Sequence, residues 1–289
     1  MTIRRFGVLV AAAFVAACGS GTNGPTTAPP VPASPTAAPA TAAPTVPPTT
    51  AAGLTLVALG DSIPYNSEDD CPGCIGFVEQ YADALEAATG KTVAVVNNSE
   101  HNSQTIDGFL AGLSSQNRAD AIAVADAVIV GIAHNDVPMN RDDDSCDGTF
   151  SETPDWSKFT DACLQTELDR FRPSYEAAFG RIAELRAGKP TILRMINRYN
   201  DWNGWPGHDL PPAGLAATAK VIAAWNAMLC TAAAANGFLC ADISAAFNGK
   251  DGKTPSGDLL AGDYTHPSQK GNDLIAETLI DLGFAPLAP

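Results

Sequence analysis

Five nearly continuous apolar runs, each the length of a strand, punctuate the chain: Leu54 to Leu59, Thr92 to Asn97, Ala127 to Ile132, Pro190 to Ile196 and Phe238 to Ile243. Strands that do not alternate with polar residues are covered on both faces, as in a parallel sheet. Between them the pattern predicts helices over Ile75 to Thr89, Thr166 to Ala187, Gly214 to Ala235 and Ser268 to Leu282. Gly90, Gly188, Gly237 and Gly283 lie where a left-handed residue ends a helix. Strand and helix in alternation predict an α/β domain, a flavodoxin-like three-layer α/β/α sandwich around a five-stranded parallel sheet.

Before the first strand the pattern changes twice. Residues 1–18 carry Arg4 and Arg5, then an apolar run from Gly7 to Ala17, then Cys18. The run is too short to span a bilayer as a mature helix and reads as an export signal. Its end, Val15-Ala16-Ala17-Cys18, resembles a bacterial lipobox, which makes Cys18 a lipidation site; a plain secretory peptide is the alternative. The residues around Arg4-Arg5 fit a twin-arginine signal poorly, so a Sec-type signal is expected. Residues 19–52 hold nine prolines and no charge or aromatic group, which predicts a semi-extended tether. Residues 53–289 then form one domain, long enough for a single core.

Composition narrows the partners. With 17 Lys+Arg against 32 Asp+Glu, the net charge is −15, and nucleic acid is a poor partner because binding it needs a basic stripe. Beyond Cys18 an even set of cysteines remains, which in an exported chain predicts three disulfides. Sequence order suggests Cys71 with Cys74, Cys146 with Cys163, and Cys230 with Cys240. Cys71-Pro72-Gly73-Cys74 also has redox spacing, but it follows an acidic turn rather than opening a helix after a strand. No second Cys/His pair stands at zinc spacing.

In doubly wound sheets the chemistry sits at the carboxyl ends of the strands. There the chain places Gly60-Asp61-Ser62-Ile63, His134-Asn135-Asp136 and, before the last helix, Asp263-Tyr264-Thr265-His266-Pro267. A serine, an asparagine and an Asp three residues before a His are the components of serine acyl transfer. In that order they resemble the SGNH hydrolases, also called GDSL esterases and lipases, and the resemblance spans essentially the whole domain. It implies Ser62 as nucleophile, His266 as base and Asp263 as its orienting carboxylate, with Ser62 and Asn135 as oxyanion donors and no metal or cofactor. No Gly-x-Ser-x-Gly elbow occurs, which argues against the ordinary α/β-hydrolase fold.

Two blocks depart from the family pattern. Ala133 stands where the family has Gly before x-Asn-Asp. In the second block, aligning Thr105 places Ser103 where a Gly usually supplies a backbone donor; a left-handed conformation there is costly for Ser, and Asn102 is the alternative donor.

Asp61, Ile63, His101, His134, Tyr199, Trp202 and Trp205 are candidate substrate contacts, the last three on a loop that leaves the same sheet edge. Loop anchoring explains those aromatics nearly as well, and His208 reads as a loop residue. Ile63 to Glu68 is expected to wall the site. Arg141-Asp142-Asp143-Asp144 reads as a solvated insertion rather than a calcium loop. The expected function is a lipid-anchored extracytoplasmic esterase acting on a lipid, acetylated glycan or small acyl ester, with a monomer as the default state. Acyl transfer to an alcohol and a non-catalytic surface binding protein are the rivals.

Overall fold

A computed structural model describes residues 53–141, 143–146, 154–204 and 210–288. The expected export signal, Cys18, the tether, Asp142, Trp205 and His208 lie outside the described residues. In chain order the elements are β1 (Leu54–Gly60), α1 (Ser62–Tyr65), α2 (Phe77–Thr89), β2 (Val93–Asn97), α3 (Ile106–Gly112), α4 (Gln116–Val124), β3 (Ala127–Gly131), α5 (Asp161–Leu185), β4 (Ile192–Ile196), α6 (Pro212–Ala235), β5 (Leu239–Ala241), α7 (Ile243–Asn248) and α8 (Gln269–Ile280). Short 3-10 turns occur at Pro138–Asn140, Trp156–Lys158 and Gly257–Leu259.

The five strands pair in parallel in the order β2-β1-β3-β4-β5, with Leu56 of β1 set between Val95 and Ala127. This is the doubly wound order whose switch point falls between β1 and β3. Alternate residues feed two cores, as the strand period requires. Val57, Leu59, Val128, Val130 and Met195 pack with residues of α3, α5 and α6 on one face. Leu54, Leu56, Ala58, Ala127, Ile129 and Ile192 pack with α2, α7 and α8 on the other. Helix α6 is apolar enough to cross a membrane by length and composition, yet just over half of its most apolar window, 56%, is buried inside the protein. It includes Val221, Trp225 and Leu229, all core residues.

Elements the sequence pattern did not mark are the short ones. Helix α3 starts where Thr105 caps it, accepting from Gly108 N at 3.4 Å, and only Ile106 and Phe109 of its seven residues are buried. Helix α5 begins at Asp161, five residues before the expected start, because Thr160 caps it by accepting from Cys163 N at 3.2 Å. All three disulfides join the cysteines that sequence order paired. Of the run expected as a solvated insertion, Asp143 is exposed, but its neighbours Arg141 and Asp144 are not. Arg141 is largely buried, pairs with Asp143 and Glu167, and stacks its guanidinium on Phe171, while Asp144 is buried and accepts from Cys146 N at 2.7 Å.

Gly60 ends β1 with φ 151°. A Cβ there would collide with the Gly131 carbonyl and lie 2.9 Å from Pro64 Cγ. Glycine is therefore required where the strand delivers the next two residues to the site. Gly60→Ala should destabilise the domain by about 1–3 kcal/mol through overpacking; chemical denaturation measures it, and an unchanged midpoint would contradict the packing described.

Candidate active site

Ser62 opens α1 directly after β1, at the carboxyl edge of the sheet. Its Oγ lies 2.8 Å from His266 Nε2, across 204 residues of sequence. On the other side of the ring, Nδ1 hydrogen-bonds Asp263 Oδ2. The Asp-x-x-His spacing works because the Asp263 carboxylate folds back: Oδ1 accepts from both Thr265 N and His266 N at 3.1 Å. Tyr264 turns the chain between them with φ 60°. The loop is pinned behind by Ala261 N donating to the His266 carbonyl at 2.8 Å. Ser268 caps α8, accepting from Gly271 N at 3.2 Å. Burial opposes the charged form of both partners, but the ion-pair geometry wins. Asp263 is held below the usual carboxylate range by its bond to His266, and His266 is raised by Asp263, then Asp70 and Asp61.

Asp61, expected as a substrate contact, is instead fully buried. Its Oδ1 accepts from Ile63 N at 3.0 Å, capping α1, and its Oδ2 accepts from Ala133 N at 3.1 Å and His134 N at 3.2 Å. The Gly-Asp-Ser aspartate thus ties the end of β1 to the loop after β3. Burial raises its pKa, while the three N–H groups and His266 act in the opposite direction. Asp136 performs the same office one step further: it accepts from Ile106 N at 3.1 Å and from Tyr175 Oη at 2.7 Å, binding α3 to the β3 loop. Burial pushes Asp136 up to about 7.

Between these two aspartates stands Asn135, half-buried, with Nδ2 donating to the Gln104 carbonyl at 3.0 Å. That bond fixes one amide hydrogen of Asn135. Ser103, next to Gln104, is exposed and has φ 57°, the left-handed conformation that the family's glycine would adopt without strain. Glu100 N donates to the Gly60 carbonyl at 3.0 Å, so this second block continues along the end of β1.

The remaining candidates separate. His101 is exposed and lies at the mouth, with Nε2 2.8 Å from Asp70 Oδ2, its ring stacked on Tyr65 and 5.9 Å from that of His266. His134 is buried edge-on against Tyr199, and burial, with Arg198 and His266 nearby, holds it neutral. Tyr199 is no acyl platform: it is buried, stacked on Phe247, and its Oη donates to the Thr265 carbonyl at 2.6 Å. Trp202 anchors its loop, donating from Nε1 to Asn140 Oδ1 at 2.9 Å. Ile63, Asn66 and Ser67 wall a shallow depression, open to solvent, with Ser62, Asp70, Cys71, His266 and Pro267. Asp70 is the site residue that the sequence did not mark. Its signal was weak, one of three acids in the turn before Cys71, and only the fold brings it within 3.4 Å of His266 Nε2.

A doubly wound parallel sheet with Ser, His and Asp hydrogen-bonded in line at its carboxyl edge is the framework of a serine-type hydrolase. Residues 58–274 match the GDSL-like lipase/acylhydrolase family, and the chain belongs to that family. No curated protein sequence matches the chain. Among solved structures it is similar to a lipase from a goat rumen metagenome, at 19% identity and a TM-score of 0.60, covering 81% of this chain and 99% of that one. A phospholipase A1 from Streptomyces albidoflavus NA297 matches at 17% identity and TM-score 0.50, covering 80% and 99%. An acetyl xylan esterase from Geobacillus stearothermophilus matches at 19% identity and TM-score 0.50, covering 80% and 95%. At these identities the likeness is one of fold.

Asp61→Asn replaces one carboxylate oxygen with an NH₂, so a donor faces a donor whichever way the amide turns. The variant should lose about 1–3 kcal/mol of stability in a urea melt, and a melt like wild type would deny Asp61 its joining role. A general base works as neutral imidazole, so a raised His266 pKa places the acid limb of kcat/KM above the ordinary histidine value. Asp70→Asn removes one of the carboxylates that favour the charged ring, and the limb should move to lower pH. A limb that stays in place would show that Asp70 does not act on His266.

Proposed function

We propose that this chain is an extracytoplasmic serine esterase that hydrolyses short-chain carboxylic esters. The observation that carries the proposal is the continuous hydrogen-bonded line from Asp263 through His266 to Ser62 Oγ. In this mechanism His266 Nε2 takes the proton of Ser62 as Oγ attacks the ester carbonyl, and Asp263 holds the Nδ1–H tautomer and stabilises the imidazolium. Negative charge gathers on the carbonyl oxygen, where the Ser62 N–H, the second hydrogen of the Asn135 amide and the Ser103 N–H are the donors, each worth about 10²- to 10³-fold in rate. His266 returns the proton to the leaving alcohol. Water, deprotonated by the same ring, then releases the acid from Ser62.

The depression lined by Ser62, Ile63 and His266 is shallow and encloses no room for a long acyl chain, which favours short ones. Export and anchoring rest on the lipobox-like sequence at Cys18 and the proline-rich stretch of residues 19–52, which would hold the domain at a distance from a membrane. Three disulfides accord with an oxidising compartment.

On p-nitrophenyl esters of increasing length, kcat/KM should be highest for acetate or butyrate and fall at least about tenfold by octanoate; a maximum at long chains would contradict the short-acyl assignment. Ser62→Ala should lose several thousandfold in kcat, in line with nucleophile removal elsewhere, and should no longer be labelled by a fluorophosphonate. Retention of more than about a tenth of wild-type kcat would refute the mechanism. Cys18→Ser should shift the protein from the membrane to the soluble fraction with esterase activity intact, and a mutant that stays with washed membranes would remove the lipid anchor.

A further inference from the structure

Asp70, His101 and His266 form a second constellation at the mouth of the site, beyond what hydrolysis requires. Asp70 Oδ2 lies 2.8 Å from His101 Nε2 and 3.4 Å from His266 Nε2, and the three ligand-type atoms all fall within 4.8 Å of one another. We propose that these three side chains bind a divalent transition-metal ion of the Zn²⁺ type, and that the bound ion reversibly switches the esterase off.

The geometry needs little change. Around a tetrahedral zinc with bonds near 2.0–2.1 Å, neighbouring ligand atoms stand roughly 3.4 Å apart. Two of the three separations already lie near that value or below it, and the third, between the imidazole nitrogens, is at most 4.8 Å. His101 is exposed and can swing to close it. The chemistry of the donors selects the ion: two imidazoles and one carboxylate suit zinc or its neighbours, whereas calcium and magnesium prefer oxygen alone. A ligating histidine is usually steadied by a carboxylate on its other nitrogen. Asp263 already does this for His266, because the tautomer that readies Nε2 to accept a proton also readies it to accept a metal.

Asp70 is itself held in place. Its N–H donates to the Ser67 carbonyl at 3.1 Å, at the base of the small loop closed by the Cys71–Cys74 disulfide. An ion at this site would occupy the lone pair of His266 Nε2, leaving the Ser62 proton without an acceptor. Three protein ligands leave a further coordination position for water.

The inference rests on His266 acting as the base, so binding and inhibition are read separately. Metal-free protein is titrated with Zn²⁺ in competition with a chromophoric chelator. Wild type should take up one ion, and His101→Ala and Asp70→Asn should each bind at least about tenfold more weakly. In parallel, Zn²⁺ should block fluorophosphonate labelling of Ser62 and stop hydrolysis, EDTA should restore both, and Mg²⁺ or Ca²⁺ should do neither. For each variant, measured against its own metal-free rate, the inhibiting concentration should rise in step with the loss of affinity. Equal zinc affinity in wild type and both variants, or full labelling of Ser62 with zinc bound, would overturn the proposal. Failure of labelling in metal-free wild type would instead strike at the esterase mechanism.

Discussion

The carboxylate of Asp61 sits fully buried at the switch point of the sheet and accepts three backbone N–H groups, one from the turn that carries Ser62 and two from the loop that carries Asn135. A buried charge is tolerated only where such bonds satisfy it, and each buried donor left unpaired costs about 1–3 kcal/mol. Strands β1 and β3 are already registered side by side, yet strand pairing alone would leave their two loops free to drift. Asp61 removes that freedom, so nucleophile strand and amide donor share one frame.

The same device recurs around the carboxyl edge. Asp136 locks α3 to the β3 loop, Tyr199 locks the end of β4 to the loop of His266, and Asn272 on α8 accepts from Phe77 N at 3.1 Å at the start of α2. Each joint is a buried polar side chain bonded to backbone, which is directional where apolar packing is not. A triad needs reacting atoms held near hydrogen-bond distance before substrate arrives, and these joints supply that preorganisation. The acids around His266 have a different effect: against burial, Asp263, Asp70 and Asp61 favour a charged imidazole, which makes His266 a stronger base.

Much of this was legible in the sequence. The apolar runs gave the strands, Gly60-Asp61-Ser62 and Asp263-x-x-His266 gave the triad residues, and cysteine order gave the disulfide pairs. Polar residues near a motif were harder to sort, because the same Asp or Tyr reads identically whether it faces a cleft or a neighbouring loop. Asp61 and Tyr199 belong to the second kind, and only their burial reveals it. Asp70 was missed for the converse reason: its meeting with His266 depends on a contact spanning nearly the whole domain. Helices α3 and α4 escaped notice because each buries too few residues to print a period of its own.

The claim that Asp61 acts by holding Asn135 and Ser62 in one frame is tested most directly by a double-mutant cycle on kcat with Asp61→Asn and Asn135→Ala. If Asp61 works through the donor loop, the two changes damage the same function, and the double variant should be little worse than the poorer single one. Losses that multiply in full, as for two independent groups, would contradict the account.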